Sequence, residues 1–167
     1  KALQAVNQAI SQYPFSTELI TLKAQILSNL EEYGQAIELL DQAHALQPND
    51  PEIFLTKGSI LSLQGNHSEA IENYEQALLL ADDKDEVYYS IGLAHQSMED
   101  FQQAIIAYKK SIEININHEG SLYELAFCLD LTGQLESSIE YYQKFIDEDP
   151  YSTAAWYNLG IVYNKLE

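Results

Sequence analysis

The stretch "VYYSIGLAHQSMEDFQQAIIAY", from Val87 to Tyr108, decides the fold because it contains a conflict. Its apolar residues follow helical spacing on both sides of a short break, which predicts two helices. Gly92 nevertheless interrupts the first of them, where glycine costs about 1 kcal/mol relative to alanine. A neighbouring helix that approaches too closely for a side chain would explain this choice. The same small residue should then recur wherever the same packing recurs.

A small residue does recur, at a period of 34 residues through the whole chain. Steps of this period from Gly92 reach only glycine and alanine, namely Ala24, Gly58, Ala126 and Gly160. A second small column at the same period holds Ala2, Ala36, Ala70, Ala104 and Ser138. Bulky residues alternate with these in register, among them Val6, Leu40, Tyr74, Tyr108 and Tyr142. A strict period over the whole chain predicts an architecture of stacked repeats.

Turn and capping residues divide each period into two helices. Asp50 suits a helix N-cap, Pro51 suits the first helical position, and Asn66 with Glu69 has the spacing of a capping box. The segments "QGN" at 64–66 and "TGQ" at 132–134 predict tight breaks between the paired helices. No segment alternates with a period of two, so we expect no strand and an all-α protein.

The repeat resembles the tetratricopeptide repeat (TPR), a helix–turn–helix unit. "AAWYNLGIVY" (154–163) has the family's Trp, Leu-Gly and Tyr at their spacing, and "AIENYEQAL" (70–78) has the second-helix Ala, aromatic residue and Ala. The resemblance covers all 167 residues without a phase slip. It implies an all-α, right-handed superhelical solenoid of stacked antiparallel helix pairs. The sequence departs from the family pattern at Lys23, Lys57, His95 and Phe145.

In this frame the chain has four complete units and a partial unit at each end. Residues 1–16 are the second helix of a truncated repeat, the complete units are 17–50, 51–84, 85–118 and 119–152, and residues 153–167 are a lone first helix. Terminal repeats usually have a polar outer face, whereas Trp156, Leu159 and Tyr163 are apolar. We therefore expect a piece excised from a longer array. No apolar run approaches the roughly 20 residues that span a bilayer. We expect a cytoplasmic location, while a fragment leaves the compartment of the parent chain open.

The composition argues against several functions. The net charge is −18, from 26 acidic and 8 basic residues, whereas nucleic acids and anionic membranes attract basic surfaces. No histidine has a second His or Cys at metal-ligand spacing, and the acid-dense turns at 82–86 and 147–150 lack the pattern of a calcium loop. Cys128 is the only cysteine, so no internal disulfide can form. It lies in the middle of a first helix, and we interpret it as a small buried residue. We expect no catalytic residue, no metal and no cofactor.

The resemblance implies that first helices line a concave groove that binds peptides or helices. The groove candidates are Leu55, Tyr89, Leu93, Tyr123, Phe127, Tyr157 and Ile161. Within each first helix the candidates are i,i+4 neighbours on one face, so they predict an aromatic strip, with a polar end near Thr21 and Gln25. Alternatively, these side chains pack between adjacent helices, as apolar stripes commonly do. A further column at the groove's edge, Glu18, Glu52 and Glu86, favours a cationic partner segment or consists merely of first-turn carboxylates.

Our first hypothesis is a non-catalytic scaffold that binds an apolar or aromatic protein segment, with basic flanks. The alternatives are a structural spacer or self-association module, stacking end to end through the exposed C-terminal helix, and a regulatory arm of an enzyme elsewhere in the parent chain. Some TPR domains bind acidic chaperone tails through lysine, arginine and asparagine. The matching positions here are Thr21, Gln25, Thr56, Tyr89 and Ser90, so we do not expect a chaperone-tail adaptor.

Overall fold

The computed structural model describes residues 1–167 and consists of ten α-helices without a strand, as the sequence predicts. Each predicted complete unit contains two helices, while the unit boundaries stay a prediction. The helices are α1 (Ala2–Gln12), α2 (Thr17–Asn29), α3 (Tyr33–Leu46), α4 (Pro51–Leu63), α5 (His67–Leu80), α6 (Asp85–Ser97), α7 (Phe101–Ile114), α8 (Glu119–Leu131), α9 (Leu135–Glu148) and α10 (Thr153–Leu166).

The chain divides into two compact units, which are described separately. The first unit spans residues 1–82 and contains α1 to α5, and the second spans residues 83–167 and contains α6 to α10. Within each unit a first helix packs against the second helix that follows it, as α4 does on α5 and α6 on α7. First helices also contact one another, α2 with α4 in the first unit, and α8 with both α6 and α10 in the second.

The conflict at Gly92 is resolved by a tyrosine on the following helix. A Cβ atom on Gly92 would lie 2.6 Å from Cδ1 of Tyr108, and one on Gly58 would lie 2.7 Å from Cδ1 of Tyr74. Both rings are buried, with exposed fractions of 0% and 3%. The second helix therefore lays its ring directly on the backbone of the first. The prediction of a close helix approach is confirmed at both glycines.

The turn inside each helix pair has a residue with left-handed backbone conformation at the same repeat position. The φ angles are 80° at Gly65 and 76° at Gly133, which confirms the two predicted breaks. Glu31 and Glu99 occupy the same repeat position with φ angles of 62° and 60°. In each turn the following amide donates to a carbonyl five residues back, as Asp100 N does to His95 O at 2.9 Å. This is the Schellman ending of a helix, and it imposes φ above zero whatever residue is present.

One capping prediction is confirmed and the other is wrong. Asp50 Oδ1 accepts a hydrogen bond from the Glu52 amide at 3.0 Å, with Pro51 at the start of α4. Asn66 is the N-cap residue of α5, but its side chain makes no capping hydrogen bond. A capping box needs the Asn66 amide as the donor to Glu69, and that amide already donates to Leu61 O at 2.9 Å. The preceding Schellman turn therefore replaces the predicted box.

The role of Gly92 predicts opposite effects of one substitution at two equivalent positions. Gly92→Ala should destabilise the protein by about 1–3 kcal/mol, because the new methyl group overlaps the Tyr108 ring. Gly160→Ala should stabilise it by about 0.5–1 kcal/mol, because alanine favours helix and a Cβ there meets nothing within 4 Å. Urea unfolding of both variants measures the free energies. A similar change in both would contradict the packing explanation.

The left-handed turn residue predicts a stabilising substitution. Glu99→Gly should raise the free energy of unfolding by about 0.5–1 kcal/mol relative to Glu99→Gln, because glycine adopts positive φ without a steric penalty. The glutamine variant removes the same charge and keeps the side chain, so it isolates the backbone term. Thermal unfolding of the two variants under identical conditions provides the comparison. Equal stability would show that the turn does not strain the glutamate.

Candidate functional site

Six of the seven groove candidates lie on the three first helices of the second unit. Two are on each helix, and the pairs are Tyr89 and Leu93 on α6, Tyr123 and Phe127 on α8, and Tyr157 and Ile161 on α10. The pairs occupy equivalent positions because they are 34 residues apart. The three helices are adjacent, since α8 contacts both α6 and α10. We call the set of six the aromatic face. Its binding role stays a prediction.

The seventh candidate, Leu55, is half-buried on α4 of the first unit. In the same two columns of that unit, Thr21 is buried, while Gln25 and Ser59 are exposed. Gln25 Nε2 donates to Glu52 Oε1 at 3.4 Å, joining α2 to α4. The corresponding surface of the first unit is therefore polar apart from Leu55, in line with the polar end that the sequence predicts.

Tyr89 is held in place by rings and by a glycine on the next first helix. Its ring centroid lies 5.0 Å from that of His118 and 6.0 Å from that of Tyr108. A Cβ on Gly120 would lie 2.8 Å from Cζ of Tyr89, so the ring fills the space that this glycine leaves. Burial, with smaller contributions from Glu124 and Glu86, raises the pKa of the Tyr89 phenol. Tyr89 is therefore a packed, neutral side chain.

Tyr123 is anchored by contacts with two other helices. Its ring meets Tyr142 at a centroid distance of 5.8 Å and Phe145 at 5.3 Å, both edge to face. Its hydroxyl accepts a hydrogen bond from Asn158 Nδ2 on α10 at 2.9 Å. Phe145, one of the departures from the family pattern, thus supports Tyr123. The alternative interpretation, packing between helices, describes Tyr89 and Tyr123 well.

Two of the remaining members of the aromatic face, both on α10, are more open to solvent. Tyr157 is 70% exposed and Ile161 is 36% exposed, while Leu93 and Phe127 are half-buried. The face therefore combines two anchored tyrosines, Tyr89 and Tyr123, with an exposed apolar pair on α10.

Polar bridges fix the spacing of the three first helices. Gln96 Nε2 on α6 donates to Glu124 Oε2 on α8 at 2.8 Å. Lys165 Nζ on α10 donates to both oxygens of Asp130 on α8, at 2.6 and 2.8 Å. Sequence reasoning missed these bridges. Gln96 and Asp130 share one repeat position, so a recurring polar residue inside an apolar helix was the available signal.

Gln96 also joins the face to the buried layer beneath it. Its Oε1 accepts hydrogen bonds from the Tyr108 hydroxyl at 2.7 Å and from the Cys128 thiol at 3.2 Å. Cys128 is fully buried, as the sequence predicts. Burial, assisted by Glu124, raises the pKa of this thiol to about 12. The group is therefore a neutral donor rather than a nucleophile.

The first helices of the second unit carry mostly negative charge. Their ionisable carboxylates are Asp85, Glu86, Glu119, Glu124 and Asp130, and their single lysine, Lys165, is paired with Asp130. The Glu86 side chain is 69% exposed, and its Oε2 accepts from His118 Nε2 at 3.1 Å. His118 Nδ1 accepts a hydrogen bond from the Ser121 amide. In the neutral ring the proton is therefore on Nε2. These three first helices therefore have a net negative charge.

The column Glu18, Glu52 and Glu86 consists of first-turn carboxylates, as one of the two interpretations holds. Glu18 Oε2 accepts from the Ser16 hydroxyl at 2.7 Å, and Glu52 Oε1 accepts from the Thr56 hydroxyl at 3.4 Å. Both therefore serve local contacts in the first unit. No three His, Cys, Asp or Glu side chains come together in a way that could hold a metal ion.

The comparison with protein families agrees with the helix pairs. Family models described as tetratricopeptide repeat match residues 19–52, 51–117 and 121–152, which together cover most of the chain. The chain belongs to the TPR family. Members of this family are generally protein-interaction modules. None of the TPR helices here is long and apolar enough to cross a bilayer.

Several solved structures share this TPR fold. YrrB, described as a TPR protein with an unusual peptide-binding site, is 22% identical with a TM-score of 0.77, covering 98% of this chain and 84% of that chain. MamA from Desulfovibrio magneticus RS-1 is 20% identical with a TM-score of 0.75, covering 90% and 85%. The APC/C hetero-tetramer Cut9–Hcn1 is 17% identical with a TM-score of 0.82, covering 98% and 32%. At these identities the likeness shows the fold. No curated protein matches the chain.

The buried thiol predicts a pH dependence. The pKa of Cys128 is about 12 in the folded protein and about 8.5 in an unfolded chain. Between these values the unfolded state loses the proton first, so the free energy of unfolding should fall as pH rises above about 8.5. The Cys128→Ser variant should show a smaller fall over this range, measured by urea unfolding. Identical pH profiles would indicate a thiol that ionises without penalty.

Proposed function

We propose that this TPR chain is a non-catalytic scaffold that binds a peptide or helical segment of a protein on the aromatic face. The supporting observation is Tyr157, which is 70% exposed on α10 beside the exposed Ile161. Exposed aromatic side chains grouped on a rigid surface are typical anchors of protein interfaces. No catalytic group takes part, since the one thiol near the face is buried and neutral.

The anchored tyrosines make the face rigid before a partner arrives. Tyr89 and Tyr123 are fixed by their ring contacts and by the Asn158 hydrogen bond. A surface that is already ordered loses less side-chain entropy on binding, which favours affinity. Leu93, Phe127 and the exposed α10 pair then supply the apolar contact area.

The negative charge around the aromatic face determines which charge we expect on the partner segment. Carboxylates such as Glu86 and Glu124 border the face, and the whole chain has a net charge of −18. A partner with lysine or arginine beside its apolar residues is attracted to this surface, and an acidic partner is repelled. We therefore propose a segment with one or more apolar or aromatic side chains flanked by basic residues. YrrB, a TPR protein described as having an unusual peptide-binding site, supports a peptide as the class of ligand.

Selection from a displayed random peptide library tests this proposal, with the purified chain as bait. The selected peptides should be rich in apolar and aromatic residues with basic flanks. Phe127→Ala and Tyr157→Ala should each weaken a selected peptide by at least about tenfold, the effect of losing about 1.4 kcal/mol. Tyr151→Ala is the matched control, because Tyr151 is 91% exposed and lies outside the first helices.

Two outcomes would contradict the proposal. One is a set of acidic or wholly polar peptides. The other is a set of apolar peptides whose affinity, measured by fluorescence anisotropy, is the same for the wild type and the Phe127 and Tyr157 variants. Circular dichroism establishes that the variants are folded. Binding should also weaken as the salt concentration rises, because salt screens attraction between exposed charges.

A further inference from the structure

The first unit contains an open cavity between the N-terminal ends of α2 and α4. Its volume is about 360 Å³. We call it the acidic cavity, because three carboxylates and no basic residue line it. The lining residues are Glu18, Thr21, Leu22, Gln25, Asp50 and Glu52. The cavity is therefore polar, whereas the aromatic face of the second unit is apolar.

The cavity is open because the sizes of two contacting residues are reversed relative to the second unit. In the second unit the Tyr89 ring fills the space that Gly120 leaves. Two repeats earlier, the equivalent residues are Thr21 and Glu52. A short side chain thus replaces the ring, and a long carboxylate replaces the glycine. The first unit therefore has space beside a carboxylate where the second unit has a packed ring.

The carboxylates of the cavity have no cationic partner within the chain. No ion pair of the structure includes Glu18, Asp50 or Glu52. The hydrogen bonds that Glu52 accepts from Gln25 and Thr56 both end at Oε1, which leaves Oε2 for another donor. Desolvation raises the pKa of the Glu52 carboxyl, the Thr56 hydrogen bond offsets part of this rise, and the charge of Asp50 adds to it. A cation in the cavity would reduce the repulsion between these carboxylates.

A buried hydroxyl in the lining of the cavity also lacks a partner. Thr21 is 3% exposed, and its Oγ1 makes no hydrogen bond. Such a group is destabilising, because it has lost its hydrogen bonds to water without gaining one in the protein. Most buried polar side chains are satisfied. An unsatisfied hydroxyl that lines a cavity therefore points to a hydrogen-bond donor that a ligand supplies.

We propose that the acidic cavity binds the guanidinium group of an arginine side chain from a protein partner. Its N–H groups donate to the carboxylates and to Thr21 Oγ1, and its aliphatic stem lies along Leu22, which is 45% exposed. The carboxylates do not come together in a way that could hold a metal ion, whereas a guanidinium group has five donors spread over a planar fork. It is also more weakly hydrated than an ammonium group, so a partly desolvated site suits it better.

The arginine belongs to a polypeptide rather than to the free amino acid. Free arginine has an α-carboxylate, which the three carboxylates of the cavity repel, whereas an arginine residue within a chain has none. The site differs from the aromatic face, because it belongs to the other unit and recognises charge and hydrogen-bond donors rather than apolar area. The inference therefore does not depend on peptide binding at the aromatic face.

Titration of the isotope-labelled chain with Nα-acetyl-arginine amide, followed by NMR, tests the proposal. Chemical shifts should change most at the amides of Thr21 and Glu52. Nα-acetyl-citrulline amide has nearly the same shape without the charge, so it should cause no change at these residues at equal concentration. Free arginine and Nα-acetyl-lysine amide should each bind more weakly than the blocked arginine.

Two substitutions separate binding from stability. Glu52→Gln should weaken arginine binding by at least about fivefold, the effect of losing a hydrogen bond between charged groups. Thr21→Val keeps the shape of the side chain and should also weaken binding. It should not lower the urea concentration at which the protein unfolds, because it removes an unsatisfied buried hydroxyl. Glu72→Gln is the matched control, because Glu72 is exposed on α5 of the same unit and lies outside the cavity.

Four outcomes would overturn the proposal. The first is equal shift changes with the citrulline and arginine amides. The second is arginine-induced changes spread evenly over exposed carboxylates such as Glu72, which would indicate nonspecific attraction. The third is equal arginine affinity in the wild type, Glu52→Gln and Thr21→Val. The fourth is tighter binding of free arginine or of the lysine amide. Because the shifts are resolved by residue, changes confined to the aromatic face would support peptide binding there and contradict the cavity.

Discussion

The contact on which the rest of the structure depends is a tyrosine ring lying on a bare helix backbone. Tyr108 on Gly92 and Tyr74 on Gly58 bring two helices closer than any side chain would permit. That close approach sets the geometry of the α4–α5 and α6–α7 pairs, while alanine takes the glycine's place in the α2–α3 and α8–α9 pairs. The hydroxyl of Tyr108 then reaches Gln96 at 2.7 Å, so the same ring connects the packed layer to the polar bridge between first helices. One contact thereby serves both the fold and the surface that we propose for binding.

The sequence predicts this contact because the small residue of the first helix and the bulky residue of the second helix recur together at a constant period. It does not predict which tyrosines are anchored and which are exposed. Tyr89 and Tyr157 share a repeat position, yet only Tyr89 has His118 and Gly120 beside it. Both partners belong to the next first helix, α8, and no pattern local to Tyr89 identifies them. The left-handed Glu99 was missed for a related reason, since backbone hydrogen bonds of the turn determine its φ.

The anchored and the exposed aromatic residues have different roles in the proposed binding face. A ring that packs on several neighbours contributes stability and rigidity, whereas a ring that faces solvent is free to contact a partner. Substituting Tyr123 would therefore confuse loss of folding with loss of binding, because its hydroxyl holds Asn158 and its ring supports Tyr142. Tyr157 has no such internal role among the described contacts. Its 70% exposure makes it the cleaner reporter of function.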